Sequence, residues 1–171
     1  MTSRLILRPF SRDDEDAAFG FFGDPDVMRF SLNGPHLSRK PTEDFILTNI
    51  NRQSRSGFSI WAVAEQSSGM VIGMCGLAEF GHGVPGIELA YRLRRNRWGR
   101  GYASEAAEGA VAHAFTALQL ERLIGAVEPA NLASVRVLEK SGFQKVSRRN
   151  IAGKDAFLFE QNRSDWLSRQ F

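Results

Sequence analysis

A chain of 171 residues, 43% hydrophobic and 24% charged, has the make-up of one ordinary globular domain, which excludes collagen, coiled coil and intrinsic disorder. The net charge of +3 is mild, no apolar run approaches the roughly 18 residues of a membrane span, and the N-terminus lacks the apolar stretch of a secretion signal. The lone Cys75 excludes an internal disulfide and fits a reducing cytosol, so the expectation is one cytoplasmic domain over 1–171, with a core of about 4–160 and a short C-terminal tail.

Residues 3–9 alternate polar and apolar, with Leu5 and Leu7 on one face, and read as a strand. Ser11 caps a helix with Asp13, Asp14 and Glu15 in its first turn, and Ala17, Ala18, Phe21 and Phe22 give it an apolar side. Asp24-Pro25-Asp26 predicts a short helical piece ending near Phe30. Asn33-Gly34-Pro35 reads as loop, and Pro41 marks a second helix to about Arg55, with Phe45, Ile46, Ile50 and Gln53 in helical period. Residues 58–65 and 70–79 read as antiparallel strands joined across 66–69, and 87–93 as a third. A helix over about 100–118 carries Ala103, Ala106, Ala107, Ala110, Val111, Ala114 and Leu118 on one stripe. Then come a strand at 122–127, a helix at 131–141 closed by Gly142, and strands at 143–150 and 156–160 around Ala152-Gly153-Lys154. The last ten residues show little pattern beyond Trp166 and Leu167. No repeat or linker divides the series. The order β-α-α-β-β-β-α-β-α-β-β predicts an α+β (mixed α/β) fold.

The basic residues are almost all arginine: only four of the 22 are Lys. Arg92, Arg94, Arg95, Arg97 and Arg100 crowd into one segment, and the guanidinium fork suits phosphate. There a strand runs into a turn that opens a helix, and helix N-termini accept anions. Gly99 and Gly101 leave the backbone bare for a close approach. Gly-x-Gly alone is common. Ser104 occupies the place of the third glycine of a dinucleotide fingerprint, and the Lys-Ser/Thr pair of an NTPase loop is absent. Two plainer readings are a solvated arginine face with turn glycines, and a nucleic-acid patch. The confined cluster and the small net charge oppose the second.

Tyr91 through Ala106, centred on Trp-Gly-Arg-Gly-Tyr-Ala-Ser-Glu-Ala, resembles the acetyl-coenzyme A signature of the GCN5-related N-acetyltransferases (GNAT), in the RimJ/RimL-like branch. Arg4-Leu-Ile-Leu-Arg-Pro resembles that branch's opening, and Asn131-x-x-Ser134 with Glu139-Lys140-Ser141-Gly142-Phe143 its late helix. The likeness covers residues 4 to about 160. Asn96 departs from the Gln or Arg often found at its position. Leu138 stands where many relatives have Tyr, which excludes a tyrosine acid there.

The resemblance implies a central, mostly antiparallel mixed sheet of six to seven strands, splayed at the acetyl-CoA site and flanked by about four helices. It places the coenzyme pyrophosphate on the backbone of Arg97, Trp98, Gly99, Arg100, Gly101 and Tyr102, counts Ala103 among the cofactor-binding residues, and has Arg92, Arg94 or Arg95 gripping the ribose phosphate. It runs the pantetheine arm along Leu89, Ala90, Tyr91, Arg92 and Leu93, where an N–H near Ala90 or Tyr91 polarises the thioester. Asn131 resembles the residue that bonds the arm. Glu88 matches a recurrent acid and reads as general base through water, or else as a strand-edge salt-bridge partner. Ser134 matches the Ser that protonates the thiolate or bonds the thiol, or else bonds its own helix backbone. Trp98 packs beneath the turn or lines the coenzyme channel, packing being the simpler reading.

The implied reaction is direct acetyl transfer, in a ternary complex, to a protein N-terminal amine or a small amine. The rival is a coenzyme-binding protein without catalysis. No metal, nucleic-acid or membrane partner is expected, since His36, His82 and His113 lack ligand spacing; a homodimer is compatible with the likeness. Cys75 reads as a small core residue, and Phe19, Phe21 and Phe22 as core. Asp13, Asp14, Asp16, Asp24, Asp26, Glu43 and Asp44, on the expected acceptor wall, read mostly as acids facing water.

Overall fold

Seven strands join into one sheet in the computed structural model, which describes residues 1–81 and 83–170. The strands are β1 (Leu5–Arg8), β2 (Ile60–Glu65), β3 (Val71–Glu79), β4 (Ile87–Leu93), β5 (Arg122–Val127), β6 (Gln144–Ile151) and β7 (Lys154–Asn162), in the spatial order β1-β2-β3-β4-β5-β7-β6. Every neighbouring pair is antiparallel except β4 with β5. Five α-helices flank the sheet: α1 (Glu15–Phe22), α2 (Arg39–Ser56), α3 (Tyr102–Thr116), α4 (Leu132–Lys140) and α5 (Arg163–Ser168). The α+β order read from the sequence is the observed one, with one helix more.

Two apolar layers cover the two faces. On one face Leu5, Val63, Ile72, Leu77, Leu89 and Leu93 meet the alanine stripe and Phe115 of α3, with Leu138 of α4. On the other, Ala62, Ala64, Met74 and Ala78 meet Ala18, Phe21 and Phe22 of α1 and Ile46 of α2. This two-sided cover explains why β2 is buried at all six positions, as a central strand must be when both faces are roofed. Cys75 is fully buried in the first layer, and burial pushes its thiol pKa up. None of the helices is long and apolar enough to cross a membrane, among the described residues.

Four local expectations change. After Ser11 the chain makes a 3-10 turn at Arg12–Asp14 before α1 begins. Asp14 is not a water-facing acid. It is 5% exposed and holds Arg8 through both carboxylate oxygens, at 2.7 and 2.8 Å. Burial alone would raise its pKa, but the Arg8 and Ser11 donors lower it on balance. The segment after Asp24 forms turns, not a helix; Pro25 in a short polar stretch leaves no apolar face to bury. The C-terminal residues form α5, where Trp166 sits 5.8 Å from the Phe115 ring and Arg163 Nε donates to Phe115 O at 2.9 Å. Six residues are too few for a periodic signal, so tertiary packing makes this helix.

The N-terminal segment is latched to the first turn of α3. Glu105 Oε1 accepts from Thr2 Oγ1 (2.6 Å), Ser3 Oγ (3.1 Å) and Arg4 N (2.7 Å), and Oε2 from Arg4 Nε (2.6 Å). Burial alone would raise the Glu105 pKa, but these donors outweigh it and draw the value down to about 2. A carboxylate whose folded pKa lies below its unfolded value of about 4.3 stabilises the fold above that value and loses the contribution as pH falls toward 2. Glu105→Gln is therefore expected to cost about 1–3 kcal/mol at pH 7 and to weaken the acid sensitivity of the fold. Urea denaturation of both proteins between pH 3 and 7 checks this.

Candidate active site

β4 is paired with β3 along its whole length, from Gly73 opposite Leu93 to Glu79 opposite Ile87. β5 is paired with β7 along its whole length, from Arg122 opposite Asn162 to Val127 opposite Phe157. Between β4 and β5 only two rungs form, Ile87 with Leu123 and Glu88 with Ile124. Beyond Glu88 the strands diverge, and the β5-facing edge of β4 from Leu89 to Leu93 has no strand partner. Buried backbone groups need hydrogen-bond partners, so such an edge suits an extended ligand that replaces the missing strand.

Tyr91 and α4 stand across this gap. The Tyr91 hydroxyl donates to Ser134 O at 2.8 Å, and its ring lies in the α3-side layer. Asn131 is the N-cap of α4, its Oδ1 accepting from Ser134 N at 3.2 Å. That leaves its amide N–H groups for another acceptor. The Ser134 hydroxyl makes no hydrogen bond among the described residues, so the backbone-bonding reading of this serine is not what the structure displays.

The turn leading into α3 lies at the open end of the gap. Gly99 and Gly101 have φ of 72° and 77°, a region L-residues avoid. A Cβ at Gly99 would touch nothing within 4 Å; the glycine serves the backbone angle and keeps the outer side bare. The first bond of the helix joins Glu105 N to Gly101 O at 3.0 Å, so the N–H groups of Gly99, Arg100, Gly101, Tyr102, Ala103 and Ser104 have no acceptor among the described residues. The turn is braced from behind: Arg4 Nη1 donates to Arg100 O (3.0 Å), Arg97 Nε to Glu65 Oε1 (2.8 Å), and Trp98 Nε1 to Leu93 O (2.9 Å). The Arg97 bond, against the opposing effect of burial, lowers the Glu65 pKa. Trp98 is 49% exposed, so its ring is half-buried and turned back onto the end of β4 by the bond to Leu93 O. Bare, pre-aimed N–H groups beside an unpaired strand edge fit a pyrophosphate and its extended amide arm.

The arginine cluster divides. Arg94 Nη2 donates to Ala17 O of α1 at 2.9 Å, Arg95 pairs with Asp26 at 2.5 Å and Asp24 at 3.7 Å, and Arg97 is held by Glu65. Arg92 turns to the α1–α2 side, its guanidinium carbon 5.9 Å from the Phe22 ring centre. Only Arg100 projects an exposed guanidinium without a partner among the described residues. The ribose-phosphate grip expected of Arg92, Arg94 or Arg95 thus finds all three directed elsewhere.

Strand alternation puts Leu89, Tyr91 and Leu93 on the α3 side, and Glu88, Ala90 and Arg92 on the α1–α2 side. Glu88 makes no hydrogen bond or ion pair among the described residues. Burial raises its pKa to about 7, and Arg52 of α2 offsets part of that from a distance. The salt-bridged reading of Glu88 is therefore not met. His36, stacked on Phe22 at 4.7 Å and bonded through Nδ1 to Thr42 Oγ1 at 2.8 Å, has its pKa lowered by burial and by Arg92. Arg52 carries no motif, and His36 has none beyond its lack of metal-ligand spacing; the direction of Arg92 is written in the polar-apolar parity of β4. Of the acids on the expected acceptor wall, Asp16 pairs with Arg39, and Glu43 and Asp44 with Lys40. No cluster of His, Cys, Asp and Glu able to hold a metal occurs among the described residues; His82 lies outside them.

The family model described as "Acetyltransferase (GNAT) domain" matches residues 4–144. A Bacillus licheniformis protein named uncharacterized N-acetyltransferase p20 is 33% identical over 145 residues, covering 84% of this chain and 81% of its own. Among solved structures, a GNAT-family acetyltransferase from Bacillus anthracis superposes with a TM-score of 0.83 at 23% identity, over 96% of this chain and 98% of its own. The ribosomal-protein-S5-alanine acetyltransferase of Vibrio fischeri superposes at 0.81 and 18% identity, over 97% of each chain.

The Glu88 carboxyl has a testable thermodynamic sign. Its folded pKa of about 7 lies above the unfolded value of about 4.3, so the folded state holds the proton more tightly and its stability falls as pH rises between the two. Glu88→Gln is expected to be at least as stable as the parent at pH 8, with the difference shrinking toward pH 4. Thermal denaturation at both pH values measures it; a loss of stability at pH 8 would reveal a hidden ion pair.

Proposed function

The chain belongs to the GNAT acetyltransferase family, an N-acetyltransferase family that moves an acetyl group to an amine, and from that premise we propose the residues and route by which this member does so. The acceptor is a primary amine, a protein N-terminus or a small molecule, and transfer is direct within a ternary complex. The observation that carries this reading is Glu88 on the last paired rung of β4 and β5, uncompensated and facing the α1–α2 side, where the strands begin to part.

Acetyl-CoA supplies the acetyl group activated as a thioester. The free N–H groups of residues 99–104 hold its pyrophosphate, and the unpaired edge of Leu89 to Leu93 takes the pantetheine arm, together with the Asn131 amide. An N–H of that edge near Ala90 or Tyr91 polarises the thioester carbonyl, a contribution of about 3–4 kcal/mol for one well-aimed donor. An alkylamine has a pKa near 10 and arrives protonated. Glu88, poised near neutrality, takes its proton through water, as a base matched to the working pH does. The amine nitrogen then bonds to the acetyl carbon and the carbon–sulfur bond breaks; the nitrogen gives up its second proton as the amide forms, and that proton reaches the departing thiolate, to which the Ser134 hydroxyl donates a hydrogen bond. No residue of the chain is acylated, in keeping with the buried, inert Cys75.

Thiol release from acetyl-CoA in the presence of a panel of amines tests this. Glu88→Gln is expected to lower kcat by about 10²–10⁴-fold with coenzyme affinity retained. The acid limb of the kcat/KM profile is expected near pH 7, where the Glu88 carboxyl titrates; Arg52 is the charged group acting on it, while Ala78 and Ile124 flank it on the neighbouring strands. Tight coenzyme binding with no thiol release from any amine would overturn the catalytic reading in favour of a binding protein.

A further inference from the structure

The charges on the acceptor-side face of β4 are not those of a site for polycations. Arg92 is largely buried there, above the Phe22 ring and beside His36, with Met74 opposite it on β3. It forms no hydrogen bond or ion pair among the described residues. Its pKa is drawn down to about 10 by burial, the response of a cation that has left water without meeting an anion. Of the acids on the α1 side, Asp14 pairs with Arg8, Asp16 with Arg39, and Asp24 and Asp26 with Arg95; Asp13 is exposed and unpaired among the described residues, and none of them pairs with Arg92. Besides Glu88, the face offers an incoming ligand Arg92 and Arg52, both cationic.

Resting on the acetyltransferase reading above, we propose that the acceptor is an amine that also bears a carboxylate, and that Arg92 is the residue that holds the carboxylate. Strand geometry sets the spacing. At about 3.3 Å per residue, the Arg92 Cα lies roughly 7 Å from that of Ala90 and roughly 13 Å from that of Glu88. Glu88 and Arg92 form no ion pair among the described residues. A ligand lying along β4 with its amine near Glu88 and Ala90 brings a carboxylate a few bonds away within reach of the guanidinium. The planar fork meets a carboxylate with two parallel bonds, and the apolar Phe22 and Met74 around it strengthen them by excluding water. An amino acid or short peptide with a free carboxylate has this pattern; a polyamine has the opposite one and meets repulsion.

Two measurements on the coenzyme-A-bound protein test the proposal. Titration calorimetry compares N-acetyl amino acids with their C-terminal amides, and thiol release from acetyl-CoA compares amino acids with their amides and with spermidine. Free carboxylates are expected to bind and react at least about tenfold better than the amides. Arg92→Met should abolish that preference, chiefly through KM, while Arg92→Lys should restore part of it. Equal turnover of acids, amides and spermidine overturns the carboxylate proposal and leaves acetyl transfer standing. Carboxylate-selective, Arg92-dependent binding without thiol release from any amine sinks the acetyltransferase reading instead and supports the carboxylate site. A loss of coenzyme affinity in Arg92→Met with the preference intact assigns Arg92 to the coenzyme and overturns the proposal.

Discussion

The unequal pairing of β4 governs the rest of the molecule: seven residues are registered against β3, and two against β5. Each strand follows its own antiparallel partner, so the sheet behaves as two sheets joined at one short seam. Right-handed twist separates them beyond it. A full β4–β5 ladder would satisfy the backbone but close the interior edge of β4, where an extended molecule can lie. The Tyr91 bond to Ser134 O holds α4 at a fixed place over the opening. A side chain thus sets the spacing that strand hydrogen bonds set elsewhere.

Rigidity around the opening comes from polar contacts placed behind the surface that meets the ligand. The turn keeps the N–H groups of residues 99–104 free, while those of Arg97 and Trp98, expected on the pyrophosphate, are bonded to Arg94 O and Arg95 O; its other groups are tied to Glu65, Arg4 and Leu93 O. The Glu105 latch draws the N-terminal strand, the farthest edge of the sheet, onto the same turn. This arrangement explains the arginine-rich segment better than a phosphate patch does. Arg94, Arg95 and Arg97 are spent as fixings between loops; in the proposed reading the anion is left to backbone donors that are already oriented and cost no side-chain entropy to hold.

What the sequence made legible follows from how far each signal reaches. β4 and β5 were bounded to the residue, because alternation and flanking polar residues are local facts. The alanine stripe gave α3 its face for the same reason. The extent of β7 to Asn162 and the existence of α5 were not legible, since both depend on partners distant in the chain, β5 and Phe115. The candidate site shows the same division. Glu88, Ser134 and the glycine turn were found by motif. Their surroundings, Arg52 from α2, His36 from the loop and Phe22 from α1, are brought to the strand only by the fold. Arg92 lies between the two cases: its side of the strand was written in the parity of Leu89, Tyr91 and Leu93, while its lack of a partner was not.

In the proposed reading, Glu88 and Arg92 bring stability and function into opposition within one strand. Burial raises the pKa of one and lowers that of the other, and each shift measures a cost that the fold carries. Elsewhere the protein removes such costs by pairing, as at Arg8 with Asp14 and Arg97 with Glu65, so the chain has the means to neutralise a buried charge. On this face it leaves two ionisable groups of opposite sign on the same side of one strand, four residues apart and unpaired. A fold selected for stability alone would bring an acid to Arg92 from α1 or replace both residues with apolar ones of similar volume. The arrangement is understandable if the compensation arrives with the ligand, whose own separated charges complete the two halves of the pair.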